Sequence, residues 1–172
     1  MKKNSVIFLL LILTAMAWGC RDSEGITEEP ETSLTVTREI DTGQLLTYGD
    51  ILGKSDEETV AILGEGEPAY LENNGTKVIT ARLYQKNVLG FNGETVLDYT
   101  GEEEPMVEEV LITFSGATFG DVVDVISQQI GEAAKVERTE EKNAAALWQY
   151  DNIFFDLTYY GGVLLLTIKK DI

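Results

Sequence analysis

The chain has no histidine and a single cysteine, Cys20, among 172 residues. The first absence excludes serine–histidine triads and imidazole metal ligands. The second excludes disulfide staples, paired-cysteine metal sites and, once Cys20 is modified, any thiol nucleophile. Basic residues are scarce as well: 13 Lys and Arg stand against 30 Asp and Glu, a net charge of −17. Such a surface repels phosphate backbones, so nucleic-acid binding is not expected. It also offers no polybasic patch to anionic lipid headgroups. The simplest use of the acid is solubility. No apolar run reaches the roughly 18–20 residues that cross a bilayer core, and no glycine-rich phosphate loop is present. No cofactor is expected. Carboxylate-only catalysis and an oxygen-ligated calcium stay formally open. With 30 acids in the chain, chance proximity of two carboxylates carries no signal for either.

What is present begins with a leader. Lys2 and Lys3 precede an uncharged apolar run over residues 6–17, and Trp18-Gly19-Cys20 ends it. A short positive region, about a dozen apolar residues and a small-residue boundary form the layout of a secretory signal peptide. Two processing readings follow. Ala17-Trp18-Gly19 satisfies the small-x-small rule, which makes Cys20 the first residue of a soluble product. Gly19-Cys20 also resembles the lipobox of bacterial lipoproteins, in which the cysteine is lipidated and becomes the new N-terminus. Cysteine accounting favours the second reading, since a lone thiol in an oxidising compartment has no disulfide partner. The expectation is a signal peptide over 1–19, a lipid anchor on Cys20 holding the protein to a bilayer outside the cytoplasm, and a flexible acidic tether over 20–37. Residues 21–33 carry one aliphatic side chain, Ile26, and cannot bury enough surface to offset ordering entropy.

Residues 34–40 alternate apolar and polar positions, which predicts a short strand, and 41–52 predict a short helix. The next helix has Ser55 as N-cap, Glu58 completing a capping box, Gly64 as stop, and Val60 and Leu63 as its apolar side. Strands are predicted over 77–85, 88–91, 94–100 and 108–114, with Asn92-Gly93 as a hairpin turn and 101–105 as an acidic loop. A further helix starts at Thr118 with Asp121 in the capping position. Phe119, Val122, Val123, Ile126 and Ile130 form its stripe, and Gly131 closes it. After a mixed-charge connection over 132–143 come strands over 144–150, 153–160 and 163–169, with turns at Asp151-Asn152 and Gly161-Gly162.

Gly53-x-Ser55 matches Gly116-x-Thr118, Leu63-Gly64-Glu65 matches Ile130-Gly131-Glu132, and residues 83–89 are similar to 147–154. These matches predict an internal duplication, with a first α/β repeat unit over 38–115 and a second over 116–172. Tight turns make strands antiparallel, and an amphipathic helix needs a sheet face to cover. The expected fold is therefore a two-layer α+β protein of tandem helix-plus-antiparallel-strand units, helices packed on one face. The other face is left to water or to a partner.

Gly53-x-Ser55-x-x-x-x-Val60-x-x-Leu63-Gly64, followed by Pro68, resembles the helix signature of the small outer-membrane-assembly lipoproteins, and the beta-lactamase inhibitor proteins are similar. The resemblance extends over residues 48–114 and more weakly over 116–169. It implies structural roles: Gly53 turns, Ser55 caps, Val60 and Leu63 pack, and Gly64 stops the helix. It implies no catalytic residue, and the second copy lacks the proline.

Three functions compete. The first is a membrane-anchored binding or scaffold lipoprotein of the bacterial cell envelope, contacting an envelope or extracellular protein. The second is an inhibitor-like module that blocks an extracellular enzyme. The third, and least supported, is an acid-only hydrolase. For a partner surface, alternation over 153–160 sends Ile153, Phe155, Leu157 and Tyr159 under the helices and Phe154 and Tyr160 to the open face. Trp148, Tyr150, Tyr84 and Arg82 are expected to join them there, either as cross-strand pairs that stabilise a wet sheet face, the simpler reading, or as a protein-binding hot spot of aromatics and arginine inside an acidic rim.

Overall fold

The computed structural model describes residues 43–73, 75–139 and 143–171. The leader, Cys20, the acidic tether and the strand expected over 34–40 lie outside the described residues. In chain order the elements are α1 (Gln44–Asp50), α2 (Asp56–Leu63), β1 (Glu67–Asn73), β2 (Thr76–Val88), β3 (Phe91–Tyr99), β4 (Val107–Ser115), α3 (Phe119–Ile130), β5 (Lys135–Thr139), β6 (Asn143–Tyr150), β7 (Ile153–Tyr160) and β8 (Val163–Lys170).

Local chemistry sets the helix limits. Ser55 Oγ accepts from the Glu58 N–H at 3.4 Å, and the Glu58 carboxylate accepts from the Ser55 N–H at 2.9 Å. Thr118 and Asp121 exchange the same pair of bonds at 3.2 and 3.3 Å. Both capping boxes thus satisfy donors that a helix leaves unpaired. Gly64 and Gly131, at φ +81° and +95°, end α2 and α3 in the left-handed region that glycine enters freely. The burial lines differ somewhat from the expected stripes. In α2 the buried residue is Thr59, whose hydroxyl is bonded to the Ser55 carbonyl at 2.8 Å, while Val60 is half-buried. In α3, Val125 joins Val122 and Ile126 inside, and Phe119, Val123 and Ile130 flank them.

All eight described strands hydrogen-bond into one antiparallel sheet in the order β1-β2-β3-β4-β8-β7-β6-β5. Each half of the chain starts at an edge and works inward. The halves meet where β4 pairs with β8, from Glu109 opposite Lys169 to Phe114 opposite Leu164. This overturns the expected two-layer α+β arrangement of tandem helix-plus-strand units: a single ladder runs through the boundary at 115/116. The helices, of 7, 8 and 12 residues, are too short for a second layer. A 12-residue helix is about 18 Å long, whereas eight strands at their usual spacing extend about 34 Å. The β4–β8 pairing joins residues far apart in the chain and leaves no local signature, which is why turn chemistry alone did not reveal it.

The strand assignment needs two further corrections. The hairpin between β2 and β3 turns at Leu89-Gly90, where Val88 faces Phe91, and not at Asn92-Gly93, which are both inside β3. Leu89 and Gly90 have φ of +56° and +81°, the double positive φ of a type I′ hairpin turn. Both sheet edges, β1 and β5, were also absent from the strand expectation: β1 opens with Glu67-Pro68, and β5 is short, with Lys135, Glu137 and Arg138 among its five residues.

The core lies on one side of the sheet. Inward positions alternate along each strand, for example Phe91, Thr95, Leu97 and Tyr99 on β3, with Gly93 between them. Against them pack α1, which contributes Leu45 and Tyr48, and the inner line of α3. The opposite side carries the alternate residues, which are half-exposed or exposed.

Candidate functional site

The six residues expected to form a partner surface do not share one. Arg82, Tyr84 and Trp148 point into the core side and are 5 %, 3 % and 1 % exposed. Phe154 and Tyr160 stand on the outer face as expected; Phe154 is half-buried and Tyr160 is well exposed. Tyr150 occupies the hairpin end of β6, on Trp148's side of the strand, and is exposed. The physical reason is register. The two-residue turn at Asp151-Asn152 sets Tyr150 opposite Ile153 and Trp148 opposite Phe155. Directly opposed residues share a face, so Trp148 has to follow Phe155 inward. The turn was legible, and the register it imposes was the signal that placed Trp148.

The three inward residues are each tied to a helix or its end. Trp148 Nε1 donates to Ser127 Oγ of α3 at 3.3 Å. The Tyr84 hydroxyl donates to the Gly64 carbonyl at 3.2 Å, and Lys86 Nζ lies over the Tyr84 ring while donating to the Leu63 carbonyl at 2.6 Å. These two bonds satisfy carbonyls at the C-terminus of α2, where cations and donors are favoured.

Arg82 is the centre of the most polar buried cluster among the described residues. Its Nε and Nη2 donate to the two carboxylate oxygens of Asp56 at 2.8 and 2.7 Å, and Nη1 donates to the Gly66 carbonyl at 2.9 Å. The Tyr99 hydroxyl adds a 2.8 Å bond to Asp56 Oδ1. The hydrogen bond from Arg82 holds the Asp56 carboxyl below its usual range, and Tyr99 adds to that effect against the opposing effect of burial. Asp56 in return raises the Arg82 pKa. Burial, followed by the neighbouring Asp56 carboxylate, pushes the Tyr99 phenol well above its ordinary value. Burial does the same to Tyr48, whose hydroxyl lies 3.5 Å from Thr95 Oγ1. Chemically the cluster is a clamp. Each of the three guanidinium nitrogens donates to an oxygen, and the phenol stays protonated. Asp56 is the first residue of α2, so the fork pins the start of that helix to the middle of β2. Sequence reasoning missed Asp56 and Tyr99. The available signal was an arginine on the same strand face as Tyr84 and Val88, because an arginine carried inward with them requires a carboxylate partner.

The outer face is the remaining surface with organised chemistry. Leu83, Val96 and Leu111 stand directly opposite one another on β2, β3 and β4, all half-buried. Glu94 and Asp98 flank Val96 on the same face of β3, and Glu109 flanks Leu111 on β4. Towards the hairpin end an open polar groove of about 590 Å³ is lined by Gln85, Asn87, Asn92, Glu94, Thr113 and Ser115. Among the described residues no three acids, histidines or cysteines gather to hold a metal, and no helix is long and apolar enough to cross a membrane.

No known protein family matches the chain, and no curated protein matches it. Among solved structures it is similar to a DUF4309-family protein (YjgB) from Bacillus subtilis. Sequence identity is 14 % and the TM-score is 0.42, over 68 % of this chain and 78 % of that one. A likeness that distant assigns neither a family nor a function.

Proposed function

We propose that this chain is a protein-binding or scaffold module of the bacterial cell envelope, held outside the cytoplasm by a lipid on Cys20. The observation that carries the reading is the placement of the chain's one cysteine: directly after Gly19, at the end of a charged-then-apolar leader. The uncovered side of the sheet supports a binding role, because its half-buried aliphatic row lies open among the described residues.

The test is metabolic labelling with an alkyne fatty acid, followed by fractionation of wild type and Cys20→Ser. Label on the wild type alone, with Cys20→Ser shifted to the soluble fraction or retained as uncleaved precursor, supports the reading. A wild-type protein that is soluble, unlabelled and carries a free Cys20 thiol would overturn the anchor.

A further inference from the structure

We propose that the outer face over β2, β3 and β4 docks a cationic amphipathic segment of a protein partner: an apolar stripe bordered by Lys or Arg. The proposal rests on the binding-module reading and names the chemistry of its partner.

Three features of that face converge. First, Leu83, Val96 and Leu111 are aligned straight across three strands by register, so they form a stripe about 10 Å wide. A single row of side chains from a guest element can cover it. Second, carboxylates border the stripe on both sides. Glu94 and Asp98 are each two residues from Val96 on β3, roughly 7 Å along the strand. Glu109 stands two residues from Leu111 on the Asp98 side. Third, none of the three makes an ion pair among the described residues. Glu94 accepts a hydrogen bond from the neutral Gln85 amide, and Lys169, opposite Glu109 in register, does not close to ion-pair distance. A guest that brings aliphatics to the stripe and ammonium or guanidinium groups to its borders matches both the area and the charge. An acidic guest meets like charge on both sides.

The surface excludes the simpler explanation of general negative charge only if position matters, and the experiment is built on that. The probe is a 14-residue helical Leu/Lys peptide with its leucines on one stripe, titrated calorimetrically into the full chain. A scrambled peptide of the same composition and a Leu/Glu counterpart are the comparisons. Binding of the striped peptide alone is expected. Reversal of the borders in Glu94→Lys/Asp98→Lys is expected to weaken it about tenfold or more, and Leu111→Gln comparably. Reversal of two loop acids off the face, Glu102→Lys/Glu103→Lys, is expected to change it less than about threefold. Equal losses from the two double reversals, or equal binding of the scrambled peptide, would overturn the proposal in favour of bulk charge. So would no binding at all. If Leu111→Gln melts the sheet, the border reversal, made wholly of polar surface positions, decides. A chain that is labelled at Cys20 yet ignores the peptide loses this proposal and keeps its anchored role; a chain that binds the peptide through this face but carries no lipid does the reverse.

Discussion

Arg82 reaches Asp56 as a planar fork, two parallel N–H···O bonds at 2.8 and 2.7 Å, with its own side chain almost wholly out of water. Removing the carboxylate strands a buried guanidinium, whereas removing the arginine leaves a carboxylate that is partly solvated already. Asp56→Ala is therefore expected to destabilise the protein by about 3 kcal/mol and Arg82→Met by less. Urea unfolding of both variants checks the order; equal costs would mean that Arg82 finds other partners.

The same pair sets an acid limit. Asp56 has a lower pKa when folded than in the unfolded chain. The unfolded state therefore binds its proton first, and the stability contributed by the pair is complete above the usual carboxylate range. As pH falls below about 4 and then through the folded value, that contribution is lost. Thermal melts of wild type from pH 6 to 2 are expected to fall more steeply than those of Asp56→Asn; parallel curves would remove Asp56 as the cause.

The aromatic residues divide by face. Trp148→Ser opens a cavity beside Phe155 and Ser127 and is expected to cost about 3–5 kcal/mol. Tyr160→Ser, at a position 69 % exposed, is expected to stay within about 0.5 kcal/mol of wild type. Differential scanning calorimetry separates the two. Loss of partner capture in Trp148→Ser would then reflect unfolding.

Much of this fold was readable where the determinants are local. The two capping boxes, the glycine stops and the three strands over 144–169 follow from side chains within four residues of one another, and the structure has them where those side chains require. The edge strands β1 and β5 were not readable: strand character there comes from a neighbour's ladder, and Glu67-Pro68 or Lys135-Val136-Glu137-Arg138 have little of their own. The single sheet was equally hidden, because Glu109 and Lys169 meet across sixty positions of sequence. For the candidate surface, alternation correctly separated Phe154 from Phe155 but was not carried across the Asp151-Asn152 turn, which put Trp148 on the wrong face; Tyr84 and Arg82 go inward by the register set at Leu89-Gly90. Asn92-Gly93 misled for a related reason. The pair has the right chemistry for a turn, but Leu89-Gly90 closes the hairpin because the buried Leu89 side chain holds it there.

That turn carries its own expectation. Leu89 is fully buried with a left-handed backbone, and its N–H donates to Gln44 Oε1 at 2.9 Å while Gln44 Nε2 donates to the Asn87 carbonyl at 3.2 Å. A leucine in this conformation costs about 1–2 kcal/mol, offset by its burial and by these bonds. Gln44→Ala is expected to cost about 1–2 kcal/mol through the unpaired Leu89 N–H. Hydrogen exchange at the Leu89 amide, accelerated in the variant, is the direct reading; unchanged exchange would show that the Leu89 N–H does not depend on Gln44.

The position of β8 has a consequence for the nascent chain. It is the last of the described strands to be made, yet it sits in the middle of the sheet between β4 and β7. At the usual synthesis rate, β4 is complete about 3–11 s before residues 163–170 emerge. Throughout that interval β4, which carries Val110, Ile112 and Phe114, has no β8 to pair with, and any sheet that β1–β4 form ends in a bare hydrogen-bonding edge. Two such chains in proximity can satisfy each other's edges, or one can accept the other's β8. Domain-swapped dimers and a need for a holding chaperone are the natural hazards of a sheet that closes at its centre.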